Sequence, residues 1–197
     1  MRTRRGTAIV ETEQGILLNA MPRDSFLLPG GGANFGESRI AATVRELYEE
    51  TGLKAFHAMF LFSFQSRKND HKVFWVQAIG VPRPLHEIER IGYYDNNVIT
   101  HISDRKGTQY RNVGIEHASD STREIVRLFG EYKMQHQDFF AAMSLYAHRI
   151  EQHYDKHSFL SGEPLYAKNG LSMPEDIPII QEPQKQGASM STGGFSA

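Results

Sequence analysis

An α+β fold, a mixed sheet with helices on its faces, is what the order of segments predicts for this 197-residue chain. Short runs rich in β-branched, leucine or aromatic residues recur as strand candidates. A stretch from Glu37 to Thr51 has neither Pro nor Gly and carries apolar residues at helical spacing. Two further helical stretches follow toward the C-terminus, and no internal repeat is found.

The first strand candidates are Gly6 to Glu11 and Gly15 to Ala20, joined by Glu13-Gln14-Gly15 as a hairpin. Phe26-Leu27-Leu28 is a third, ended by Pro29-Gly30-Gly31-Gly32, where a loop is expected because proline lacks a ladder donor. In the helix, Ile40, Val44 and Leu47 recur at i, i+4, i+7 and form its expected buried face, with Gly52 as C-terminal cap. Ala58 to Gln65 and Val73 to Ile79 read as a second hairpin across Ser66-Arg67-Lys68-Asn69-Asp70. Pro82 and Pro84 end it, Ile91-Gly92-Tyr93-Tyr94 is a short extended piece, and 95–119 carries no readable pattern. Helices are expected from Ser121 to Leu128 and, beyond Gly130, from Met134 to Tyr154. Phe139, Met143, Tyr146 or Ala147, Ile150 and Tyr154 form the stripe of the second. The expected division is a core at 1–120, a helical extension at 121–155 packing on the core or on a second copy, and a Pro/Gly/Ser-rich mobile tail at 156–197.

Composition excludes whole classes of chemistry. With no cysteine, disulfides, cysteine metal sites and thiol nucleophiles are impossible. Lys plus Arg at 22 against Asp plus Glu at 23 gives a net charge of -1, which argues against general nucleic-acid binding. No apolar run approaches the ~18 residues of a membrane span. A cytoplasmic location is the expectation.

The chemically informative stretch runs from Gly31 to Leu53, GGANFGESRIAATVRELYEETGL. On a helix, Glu46, Glu49 and Glu50 gather in a sector turned away from the apolar stripe. Exposed, they would be a solvated face. Enclosed against the glycine-rich loop, two carboxylates ~5 Å apart repel by about 3 kcal/mol, and a divalent cation between them reverses the sign. All-oxygen ligands favour Mg²⁺ or Mn²⁺. Arg45 lies four residues before Glu49 and can orient it, Glu37 stands where the helix opens, and Gly30, Gly31, Gly32 and Gly36 allow close backbone approach. No P-loop lysine follows.

This stretch resembles the Nudix box, G-x5-E-x7-R-E-U-x-E-E-x-G-U with U a bulky aliphatic residue. Gly31, Glu37, Arg45, Glu46, Leu47, Glu49, Glu50, Gly52 and Leu53 match every defined position, and Pro29-Gly30 supplies the usual lead-in. Chance agreement in a chain this long has odds on the order of one in ten million. Box and lead-in cover about 25 residues, and the resemblance does not extend to the C-terminal third. It implies a three-layer α/β/α sandwich with a mixed central sheet, here with C-terminal helices added.

The resemblance further implies divalent-metal-dependent hydrolysis of a phosphoanhydride in a nucleoside diphosphate derivative. Water attacks phosphorus, and Mg²⁺ or Mn²⁺ is held by Glu46, Glu49, Glu50 and the Gly30 carbonyl, with Arg45 orienting Glu49. The general base is either Glu46 or an acid of the later loop, Glu87, with Glu89 beside it. Asn34 departs from the acidic residue many members carry there, which bears on the number of ions. The window Lys68 to His71 lacks the proline or tyrosine markers of the ADP-ribose and dinucleoside polyphosphate branches. A nucleoside triphosphate or similar small nucleotide is therefore expected, with Phe26, Phe62, Phe64 or Trp75 as base-stacking candidates. A homodimer through the C-terminal helices is the partner expectation. The alternative is a non-catalytic sensor or protein- or RNA-binding module of the same fold.

Overall fold

The computed structural model describes residues 2–22 and 25–152. Its strands are β1 (Thr3–Ile9), β2 (Glu11–Thr12), β3 (Gly15–Ala20), β4 (Gly30–Gly32), β5 (Lys54–Gln65), β6 (Asn69–Ile79), β7 (Arg90–Asp95), β8 (Val98–Asp104) and β9 (Val113–Gly114). Its helices are α1 (Arg39–Thr51), α2 (Asp120–Gln135) and α3 (Gln137–Gln152). The strands form two sheets, ordered β4-β1-β6-β5 and β2-β3-β7-β8-β9. Pairing is mixed, as expected, because β1 runs parallel to β6 and antiparallel to β4.

Alternation along the strands explains the layers. Ala8, Leu17, Phe74 and Val76 join Leu47 of α1 in one apolar cluster. Their neighbours Ile9, Leu18, Val73 and Trp75 join Ile125 and Phe129 of α2 and Phe140 of α3 in the other. Strands buried on both faces read as continuous apolar runs, which is why they were visible in the sequence. No helix among the described residues is long and apolar enough to cross a membrane.

Several expected elements differ. The first hairpin is split: Thr3–Ile9 joins the first sheet, and only Glu11–Thr12 pairs with β3. The chain changes sheet at Val10, whose carbonyl still accepts from the Leu17 amide. Gly30–Gly32, expected as loop, is strand β4 against Arg5, Gly6 and Thr7. Glycine is required there by crowding, because a Cβ on Gly30 would lie 2.2 Å from the Gly6 carbonyl oxygen. Glu37 does not cap α1. The cap is Ser38, whose hydroxyl accepts from the Ala41 amide, and Gly52 closes the far end at φ 73.

Gly130 does not end a helix either; α2 continues through it to Gln135. An exposed glycine with open space around it costs a helix only about 1 kcal/mol, less than the packing of Ile125, Val126 and Phe129 returns. Phe140 and Met143 of α3 are buried in the chain's own core, so a homodimer through these helices gains no support. The side chains of Tyr146, Ala147, Ile150 and Tyr154, and the whole 156–197 segment, lie outside the described residues.

Candidate functional site

The glycine strand β4 and helix α1 build the site between them. Glu50 is buried, 7% exposed, although the apolar stripe of Ile40, Val44 and Leu47 was expected to be the buried face. Thr43, Leu47 and Glu50 fall within one arc of roughly 60° on the helix, and that arc faces inward. Ile40 is 41% exposed. A carboxylate can take an inward position because hydrogen bonds replace its water. Oε2 of Glu50 accepts from Asn19 Nδ2 at 2.8 Å and from the Gly30 amide at 2.9 Å. Burial still pushes the Glu50 carboxyl up to about 7, against the opposing pull of the Gly30 amide, Arg5 and Asn19.

Glu46 lies one turn earlier, flush against Gly31. A Cβ on Gly31 would stand 2.1 Å from Glu46 Oε1, so any side chain there would displace the carboxylate. Arg45 ties the acids together. Its guanidinium donates to Glu37 at 2.9 and 3.0 Å, to Glu46 at 2.9 Å, to Glu49 at 3.0 Å and to the Gly32 carbonyl at 3.2 Å. Glu37 also accepts from the Asn34 amide at 2.8 Å. The Arg45 hydrogen bond, aided by that amide, holds the Glu37 carboxyl down at about 2. These bonds fasten the β4–α1 loop to the middle of the helix.

The three acids do not meet at one point. Glu46 and Glu49 meet at Arg45, while Glu50 turns to Asn19 and Gly30. The Gly30 carbonyl accepts from Arg5, whose buried guanidinium is held below its ordinary pKa chiefly by loss of solvent. As placed, no three His, Asp or Glu side chains among the described residues stand close enough together to hold a metal ion. The donor set is nonetheless one a hard divalent cation uses: carboxylates and a carbonyl, without nitrogen or sulfur. Arg5 and Arg45 occupy the same oxygens that an ion would neutralise.

Sequence reasoning missed Arg5 and Asn19. Each carried a signal, since Asn19 interrupts the apolar run of β3 and Arg5 precedes the buried Gly6 and Thr7; Asn19 is 1% exposed. A polar side chain at a core position needs a partner, and here the partner is Glu50. Glu87 and Glu89 are exposed, and no hydrogen bond or ion pair joins their carboxylates to the box acids among the described residues. Their loop is docked through backbone, with the Leu85 amide on the Glu50 carbonyl and the Arg83 amide on the Thr51 carbonyl.

The aromatic candidates separate. Trp75 is buried edge-on to Phe140, and its indole donates to Glu11. Phe62 packs toward Tyr132, and Phe64 toward His71. Phe26, also buried, lies under the Arg90 guanidinium at 5.6 Å and borders a cavity.

The NUDIX domain model matches residues 1–100. An RNA pyrophosphohydrolase of Ruthia magnifica subsp. Calyptogena magnifica is 44% identical over 57 residues, 28% of this chain and 32% of that protein. The match therefore spans about a third of the curated relative's length. A crystal structure from Chromobacterium violaceum, assigned to the nudix hydrolase family, aligns over 78% of this chain and 98% of its own, at 29% identity and a TM-score of 0.60.

Proposed function

The chain belongs to the Nudix family, and from that premise we propose that it hydrolyses a phosphoanhydride bond in a small nucleotide, most simply a nucleoside triphosphate, with a divalent cation. The observation that carries the reading is the burial of Glu50 beside Glu46 against a strand of three glycines. Burying a carboxylate costs several kcal/mol unless charge compensates it, and a purely structural scaffold has no use for the expense.

Glu46, Glu49, Glu50 and the Gly30 carbonyl would hold Mg²⁺ or Mn²⁺. When bound, the ion supplies charge neutralisation along the phosphate chain and makes a water more acidic. The chain's own residues do the rest. Asn19 and the Gly30 amide fix Glu50, Gly31 leaves the space Glu46 needs, and Arg45 bridges Glu37 to Glu46 and Glu49 so that their orientation is set before substrate arrives. The proton of the attacking water goes to Glu46 or to an acid of the later loop, Glu87 or Glu89, and single Gln variants distinguish them: a fall in rate of about 10² in Glu87→Gln or Glu89→Gln assigns that residue, no change in either assigns Glu46.

The test is a phosphate-release screen over nucleoside triphosphates, ADP-ribose, nucleotide sugars, dinucleoside polyphosphates and 5′-triphosphorylated RNA, with and without Mg²⁺ or Mn²⁺. Metal-dependent turnover that Glu50→Gln removes is expected. Nucleotide binding without turnover, identical in wild type and Glu50→Gln, would favour a sensor of the same fold.

A further inference from the structure

Outside the acid site, the second sheet and the segment before β4 enclose a cavity of about 440 Å³, a size at which pockets take nucleotide-scale ligands. A smaller one of about 90 Å³, beside Arg5 and His71, has room for about three waters. Phe26, Arg90, Tyr110, Arg111, Glu116 and His117 border the larger cavity.

It is a built space. Phe26 is fixed from both sides, its amide donating to the His117 carbonyl and its carbonyl accepting from the Ser119 amide. Gly92 of β7 leaves room beside the Phe26 ring, since a Cβ there would crowd Ile99 at 2.8 Å, Ile102 at 3.1 Å and Phe26 Cε1 at 3.3 Å. The opposite wall is held by Asp104, which accepts from the Lys106 and Thr108 amides and from the Tyr110 hydroxyl at 3.1 Å. That turn presents Tyr110 and Arg111 to the cavity.

The two guanidiniums there are not paired with the acids of the wall, Asp104 and Glu116. Neither the Arg90 nor the Arg111 guanidinium makes a hydrogen bond or ion pair with another described residue; Arg90 lies over the Phe26 ring. Glu116 contributes one acid of the wall, and its neighbour within 4 Å is His117. Two guanidiniums and the exposed Tyr110 ring, with the buried Phe26 ring as the floor beneath Arg90, match a phosphate joined to a planar base. The segment 25–30 links this space to the acids: Ser25 and Phe26 border the large cavity, Leu27 and Leu28 the small one, and the Gly30 amide reaches Glu50. From Phe26 to Gly30 the backbone spans at most about 14 Å, within the length of an extended nucleoside triphosphate.

We propose that the cavity bounded by Phe26, Arg90, Tyr110 and Arg111 is a specificity subsite that binds the nucleoside monophosphate portion of the substrate, with its phosphate between the two arginines. The proposal rests on the hydrolase reading for the identity of the substrate, but its test does not need turnover. Isothermal titration of the full chain, without metal, uses AMP, GMP and UMP, with adenosine and inorganic phosphate as separate arms. At least one nucleoside monophosphate should bind at least about tenfold tighter than adenosine or phosphate. Arg111→Ala and Arg90→Gln should each weaken it about tenfold, while Arg127→Ala, an exposed change on α2 whose partners are Glu124 and Glu131, leaves it unaltered. In turnover, Arg111→Ala should raise KM and spare kcat.

Thermal melting confirms that the variants are folded; Arg111 is exposed, so its removal leaves the core intact. Equal affinity in wild type and Arg111→Ala, or no nucleoside monophosphate binding at millimolar concentration, overturns the subsite. Arginine-dependent binding with a blank hydrolysis screen removes the hydrolase reading alone. Turnover with KM unmoved by both arginine variants removes the subsite alone.

Discussion

Arg45 and Arg111 mark two regions built on opposite plans. Around Arg45 every cation has its anion: five hydrogen bonds reach three glutamates and a carbonyl. Around Arg111 and Arg90 the walls are equally well fixed, yet the guanidiniums find no acid among the described residues. A saturated network sets positions before a ligand comes, whereas unmatched charge on a rigid wall is matched by the ligand itself. Substitutions in the first region should therefore abolish rate, and substitutions in the second should change affinity.

The largest effect is expected from the first region. Glu50→Gln keeps the shape and the contact with Asn19 but removes the charge, and should lower kcat by about 10³ or more with little change in thermal stability. Gly31→Ala should cost nearly as much rate, because the new methyl group stands where the Glu46 carboxylate lies. A Gly31→Ala protein with wild-type kcat would break the assignment of Glu46.

A pH effect of intermediate size belongs to the flank of the first region. His71, hydrogen-bonded to Thr7 and Ser66, is held near 4 instead of 6.5, first by burial and then by Arg5. The unfolded chain takes this proton near 6.5 and the folded one only near 4, so stability is full above the higher value and falls as pH drops toward the lower. His71 contributes a loss of about 2 kcal/mol between pH 7.5 and pH 5, while the raised Glu50 carboxyl works in the opposite direction, so the His71 share is read from urea unfolding as the difference in slope between wild type and His71→Gln. An unchanged slope would place the acid sensitivity elsewhere. Smallest is a control remote from the contrast: Gly130→Ala on the exposed face of α2 should add about 1 kcal/mol of stability and leave activity alone.

The two regions were also unequally legible in the sequence. The first is local: one glycine strand and one helix, about 25 residues in a fixed register, so spacing alone brought Arg45, Glu46 and Glu49 together. What spacing could not give was the inward turn of Glu50. It depends on Asn19, thirty-one positions away, and an apolar-stripe argument has no place for a buried acid that long-range hydrogen bonds satisfy. Arg5 escaped for the same reason. The second region is assembled from Phe26, Arg90 and the 109–117 stretch, where β9 has two residues and the turn is shaped by the Asp104 side chain. Neither feature carries hydrophobic periodicity, so 95–119 read as patternless. The hairpin β5–β6 and the helices, held by repeating apolar contacts, were readable for the opposite reason.

Titration of Mn²⁺ into the full chain, followed by calorimetry, asks most directly whether the Glu46–Glu50 pair holds a divalent cation. Saturable binding that Glu50→Gln weakens at least about tenfold is the expected result. Equal binding by the wild type and Glu50→Gln, or none by either with substrate present, would contradict it.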